Sequence, residues 1–191
     1  MQRLRYLGFK WRAIAMLVFG QKDAAGRLFD AMLEEFPKDA YAIASKAHLL
    51  AQGGDRAGAL ALFARLVQLQ PDNAQHWFNY GFMLEDKGEL EQAEAAFRRA
   101  TALSPELDRA WYGLGMVLIR LQRFDEAVAA FRQNTQLQPM SPYGWYQLAR
   151  VHVDRHEPDE ARKIIRHLKK FEPKVAAQLE RETGIFISSA S

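Results

Sequence analysis

His152 and His156, with Asp154 and Glu157 beside them, have the spacing in this chain that comes nearest to a metal site. Two imidazoles at i and i+4 share one helix face, and with a carboxylate such a pair can hold a zinc ion. A second cluster, Glu85, Asp86, Glu89, Glu91 and Glu94, gathers carboxylates. Acid–base catalysis by paired carboxylates needs two of them converging on one bond. This run reads instead as a solvated turn and helix start, where anions suit the helix dipole. His48, His76 and His167 form no recognisable arrangement with a nucleophile or a carboxylate. The chain holds no Gly-rich phosphate loop and no HExxH, GxSxG or EF-hand pattern. It has no cysteine, which removes disulfides, thiolate metal sites and cysteine catalysis. The expectation is a protein with no catalytic residue, no metal and no cofactor.

The elements that carry these residues follow from composition and period. The chain has 191 residues, 49% hydrophobic and 26% charged, enough for a sizeable core. Its 26 basic and 23 acidic residues nearly cancel, so no nucleic-acid partner is expected, since that needs a clustered basic face. Arg162, Lys163, Arg166, Lys169 and Lys170 read as the solvated face and last turn of a helix. The N-terminus opens with basic residues and runs into AIAMLVFG. That stretch is far short of the ~20 apolar residues of a spanning helix, and no small-x-small cleavage site follows it. An amphipathic first helix and no membrane span are expected, and the localisation expected is cytoplasmic.

Prolines stand at Pro37, Pro71, Pro105, Pro139 and Pro173, each 34 residues after the last. One column at the same step is all alanine: Ala25, Ala59, Ala93, Ala127 and Ala161. Another runs Phe29, Phe63, Phe97, Phe131 and Ile165, a third is Ala13, Ala47, Gly81, Gly115 and Ala149, and a fourth is Phe9, Ile43, Trp77, Trp111 and Trp145. His152 falls in a packed column with Met16, Leu50, Leu84 and Leu118, which directs its ring to the core and argues against the metal reading. Each repeat reads as two helices. Trp111, Leu114, Gly115 and Leu118 share one face, a break follows at 121–123, and a second helix starts near Asp125 and stops before Pro139. Ser141 before Pro142 is expected to cap a helix, as is Asp55 after two glycines. Asn134 replaces an apolar or small residue of its column and, if buried, needs a hydrogen-bond partner. Arg12 and Lys46 interrupt an apolar column and make the first two repeats more degenerate.

Trp111-x2-Leu114-Gly115, Ala127-x3-Phe131 and Pro139, with the 34-residue step, resemble the tetratricopeptide repeat (TPR) family. The resemblance implies an all-α fold, a right-handed superhelical solenoid of antiparallel helix pairs. The expected organisation is a single TPR domain over 1–191, with repeats at about 6–39, 40–73, 74–107, 108–141 and 142–173. A capping helix is expected over 174–183 and a flexible tail over 184–191.

In each first helix, residues about 140° from the core face form a second stripe. In the family that stripe lines a concave groove. Here it gives Tyr41 and His48; Gln75, Phe78 and Phe82; Arg109, Tyr112 and Met116; Tyr143, Tyr146 and Arg150. Tyr, Phe, Met and Arg are the types enriched at binding hot spots, whereas solvated faces favour Lys, Glu and Gln. Family members that clamp a C-terminal carboxylate carry Lys and Asn four apart, and no lysine here has an Asn at that spacing. The expected ligand is a protein or peptide with apolar anchors, steadied by Arg109 and Arg150. The expected function is a non-enzymatic adaptor or scaffold. The alternative is a structural protein forming a homo-oligomer through its end helices or through the tail around Ile185, Phe186 and Ile187.

Overall fold

A computed structural model describes residues 2–187, which form eleven α-helices and no strand. The chain divides into two compact units, Met1–Gly88 and Glu89–Ser191. The first holds α1 (Gln2–Val18), α2 (Lys22–Glu35), α3 (Ala40–Gln52), α4 (Arg56–Leu69) and α5 (Ala74–Lys87). The second holds α6 (Leu90–Leu103), α7 (Asp108–Arg120), α8 (Phe124–Leu137), α9 (Pro142–Asp154), α10 (Pro158–Leu168) and α11 (Pro173–Thr183).

In the first unit each helix packs on the next, α1 on α2 through to α4 on α5. Phe29, Phe63, Ala25, Ala59, Ala13 and Ala47 are buried, because the alanines let the helices approach and the rings fill what remains. The capping chemistry is local. Asp39 accepts from the Ala42 amide, Asp55 from Gly58 and Asn73 from His76, at 2.8, 2.8 and 3.2 Å. The charged column breaks are accommodated differently. Arg12 stays exposed, while Lys46 pairs with Asp30 of α2.

In the second unit Phe97, Phe131, Ile165 and their alanines fill the same positions. Glu94 and Glu126 alternate with Arg98 and Arg123 in a closed ring of ion pairs joining α6 to the start of α8, with contacts of 2.5 to 2.7 Å. Asn134 is buried and donates through Nδ2 to the Asp108 carbonyl at 2.9 Å, so the polar break in its column has the partner it needs. Its Oδ1 lies where a Cβ on Gly144 would stand, which explains glycine there. Three cations of the basic cluster are paired, Arg162 with Asp159 and Lys163 with Glu160 on α10, and Lys169, just beyond it, with Glu180 of α11. α11 packs on α9 and α10 with Ala176 and Leu179 buried, and Gly184 ends it in the left-handed region.

Two expectations need correction. Ser141 precedes α9, but its side chain makes no capping bond; Pro142 at the first helical position starts the helix. The tail expected to be flexible from Gly184 is held at Ile187, whose amide donates to Glu180 and whose carbonyl accepts from Lys169 Nζ at 2.8 Å. Residues 188–191 of that tail lie outside the described residues.

Two features recur at the 34-residue step and were not read from the sequence. Trp77, Trp111 and Trp145 each donate from Nε1 to the carbonyl of the proline six residues earlier, Pro71, Pro105 and Pro139, at 2.8 to 2.9 Å. The turns at 20, 54, 88, 122 and 156 all take a positive φ, with glycine at the first three and Gln122 and His156 at the last two.

Candidate functional site

His156 sits in one of those turns, beyond the end of α9, so it shares no helix face with His152. The His152 ring is buried and its Nδ1 lies 2.7 Å from Glu157 Oε2. One imidazole is committed to the core and the other is exposed in the turn, and among the described residues no group of His, Asp and Glu could hold a metal ion. The acidic run disperses too, Asp86 facing Arg56 and Glu94 joining the ion-pair ring.

In the first unit the second stripe is carried by α3 and α5. His48 and Phe82 meet in a pocket of about 250 Å³, with Ala51, Gln52, Arg56, Phe63, Asn79 and Met83 as the rest of its lining. Phe63 forms the floor and meets the His48 ring edge-on at 5.2 Å. Partial burial lowers the His48 pKa from its ordinary value of 6.5 by desolvation, which favours the neutral ring. Its Nε2 lies 3.5 Å from Asn79 Nδ2, and the Asn79 Oδ1 accepts from Gln75 at 3.0 Å. Phe82 is half exposed and forms a wall. Such a space is smaller than the ~300–1,000 Å³ of cofactor and small-molecule sites. Its size and lining suit one large apolar side chain with a polar group near the neutral imidazole. Tyr41 and Phe78 are half-buried outside this pocket; Tyr41 packs against Phe29 at 6.1 Å and carries Lys10 Nζ over its ring at 4.7 Å.

In the second unit the stripe lies on α7 and α9. Tyr112 stands edge-on to Phe131 at 5.7 Å, with its hydroxyl 3.5 Å from Gln147 Nε2. Met116 is half-buried, Arg109 is exposed, and Tyr143 is 71% exposed. Tyr146 is already engaged. Its hydroxyl donates to Glu182 of α11, which raises its pKa, and Arg150 lies over its ring at 5.8 Å. The capping helix thus covers part of the face that the sequence left open. A wider cavity of about 420 Å³, lined by Gln122, Arg123, Phe124, Asp125, Glu126, Arg155 and Glu157, is ionic. Its arginines are already paired, Arg155 with Asp125 and Glu157 and Arg123 with Glu126.

Sequence reasoning missed Asn79, Arg56 and Glu182. Asn79 was legible, since it continues Gln75 and Phe82 along α5 at helical spacing. Arg56 and Glu182 come from helices outside the first-helix stripe, and only packing brings them there.

A model of the family described as the cilia and flagella-associated protein 70 middle TPR-like domain matches residues 44–172. No curated protein matches the chain. Among solved structures, a MamA protein superposes with a TM-score of 0.79 at 19% identity, over 97% of this chain and 97% of that one. YrrB, described as a TPR protein with an unusual peptide-binding site, gives 0.78 at 18% identity over 88% of each chain. The pilF protein of Pseudomonas aeruginosa gives 0.72 at 21% identity, over 93% of this chain and 89% of that one. At these identities the likeness shows the fold, an all-α TPR solenoid. Among the described residues no helix is long and apolar enough to cross a membrane.

Proposed function

The chain belongs to the family of the cilia and flagella-associated protein 70 middle TPR-like domain, and from that premise we propose that it is a non-catalytic adaptor which holds a peptide segment of another protein on the second stripe of its first helices. The TPR fold in general serves protein–protein interaction. The five-repeat division of the sequence is kept in this reading, with residues 1–191 as one domain and the cytoplasm as its setting.

One observation carries the proposal: the pocket where His48 and Phe82 stand over Phe63 and Met83. It is open, mostly apolar and of side-chain size, the form that an anchor residue of a peptide fills. The second unit carries its own stretch of the stripe, where the exposed Tyr143 and Arg109 and the half-buried Tyr112 and Met116 would take apolar anchors in the same way. Tyr146 and Arg150 would take part only where the ligand shares the α9 face with α11. The peptide-binding site for which YrrB is described lends the reading support by analogy of fold alone.

A displayed random-peptide library, selected on the full chain, tests it. Selected peptides are expected to carry a large apolar residue, and Phe82→Asp is expected to weaken them about tenfold or more without lowering helicity. Peptides that bind Phe82→Asp and Tyr112→Ala as tightly as the unaltered chain would place the site elsewhere. Selection of no peptide would remove the proposal.

A further inference from the structure

The face of α1 turned away from α2 carries Leu4, Trp11 and Val18, seven residues apart and therefore in one stripe along the helix. They are 75%, 64% and 76% exposed, and Phe19 at the end of the helix is 76% exposed. The opposite face holds Ala13 in the core of the first unit, with Tyr6, Phe9 and Met16 packed around it. The helix is thus apolar on two sides, and among the described residues only one of them is packed. Cations flank the open stripe, Arg5 and Arg12 along one border and Arg3 and Lys10 along the other.

The charge is as uneven as the packing. The first 22 residues hold five Lys or Arg and no Asp or Glu, so the rest of the chain, with 21 basic and 23 acidic residues, is net negative. Arg5 pairs with Glu35, and Lys10 lies over the Tyr41 ring, while Arg3 and Arg12 are exposed beside the stripe. Cations bordering a Trp-containing apolar stripe match an anionic lipid interface, where the acyl boundary takes the apolar side chains and the headgroups take the charges. A second copy of the chain is a weaker match, because this surface would meet its own positive charge across a two-fold contact.

We infer that α1 docks the protein on the surface of an anionic membrane, its Leu4–Trp11–Val18 stripe lying in the plane of the interface. The helix lies flat and spans nothing. The stripe lies on α1, which carries none of the peptide-contacting residues named for the proposed function, and either can stand without the other.

Flotation of the full chain with vesicles of phosphatidylcholine and phosphatidylserine at about two to one tests this. The chain is expected to float with these vesicles, to stay behind with pure phosphatidylcholine, and to lose about tenfold in binding between low and ~0.5 M salt. Trp11→Glu with Val18→Glu is expected to abolish flotation with an unchanged melting temperature, because both side chains are exposed. Arg3→Glu with Arg12→Glu is expected to do the same. Absence of flotation at low salt would overturn the inference. So would flotation that survives Trp11→Glu with Val18→Glu, which would be charge adsorption alone. A concentration-dependent dimer in light scattering, removed by the same two substitutions, would assign the stripe to a second copy.

Discussion

Between α3 and α4 the buried ring is Phe63, with Ala59 and Ala47 at the column positions beside it. Between α7 and α8 it is Phe131, with Ala127 and Gly115. The turn joining the first pair has Gly54 at φ 90°, and the turn joining the second has Gln122 at φ 58°. Ile43 occupies in α3 the position where Trp111 in α7 adds a bond to the Pro105 carbonyl. The edge-on partner of the ring is His48 in one pair and Tyr112 in the other. The positions that match are the contacts any TPR pair must bury. The positions that differ set turn strain, rigidity and the polarity of the outer stripe.

The comparison breaks first at the rings. Phe63→Ala and Phe131→Ala should each cost about 3–5 kcal/mol, read as local loss of amide protection around the altered pair. A cost at one site well below the other would show that the two pairs do not share a packing solution.

Gly115 gives a sharper test. A Cβ there would come within 2.6 to 2.8 Å of three atoms of the Phe131 ring, whereas Ala47 fits against Phe63. Helix propensity favours alanine by about 1 kcal/mol, but overpacking a buried ring costs about 1–3 kcal/mol, so the clash should win. Gly115→Ala should lower the stability read from denaturant unfolding, and Ala47→Gly should lower it by about 1 kcal/mol for the opposite reason. A Gly115→Ala chain more stable than the original would mean that α7 and α8 separate at little cost.

At the turns the sign reverses between the pairs. Gln122→Gly should stabilise by about 0.5–1 kcal/mol and Gly54→Gln should destabilise by about 1 kcal/mol, because only glycine occupies this region without a steric penalty. Thermal melts of the two variants measure both. A Gln122 side chain that repays its backbone strain would show as no gain on Gly substitution.

The smallest effect is in pH. His48 titrates below its ordinary 6.5 in the folded chain because its partial burial desolvates the charged form. Between that lowered pKa and 6.5 the unfolded chain binds more protons, so this contribution is complete above 6.5 and is lost as pH falls through the window. Amide protection factors in α3 and α4 should fall slightly as pH drops through this range, and His48→Gln should remove the change. α7 and α8 contain no histidine, so they serve as the internal reference.

How much of this was legible follows the same division. The proline, alanine and phenylalanine columns disclosed the helix pairs, because buried contacts repeat in sequence when they repeat in space. Asn134 announced its need for a partner, though its acceptor, the Asp108 carbonyl, is a backbone atom that no side-chain pattern marks. The outer stripe was legible on each helix by phase, but its engagement by Glu182 was not, since α11 lies outside the repeat. The positive φ at Gln122 and His156 was hidden by the absence of glycine at both.

The bond from each tryptophan to the proline carbonyl six residues earlier has a kinetic side. A loop this short closes within about 10–100 ns, long before distant parts of a chain can meet. As the polypeptide emerges from the ribosome at ~5–20 residues per second, each of these loops can latch as soon as its indole is out. The entry to α5, α7 or α9 is then oriented before the following helix has been synthesised. Assembly can proceed in chain order, one pair at a time, with little apolar surface left waiting for a late partner.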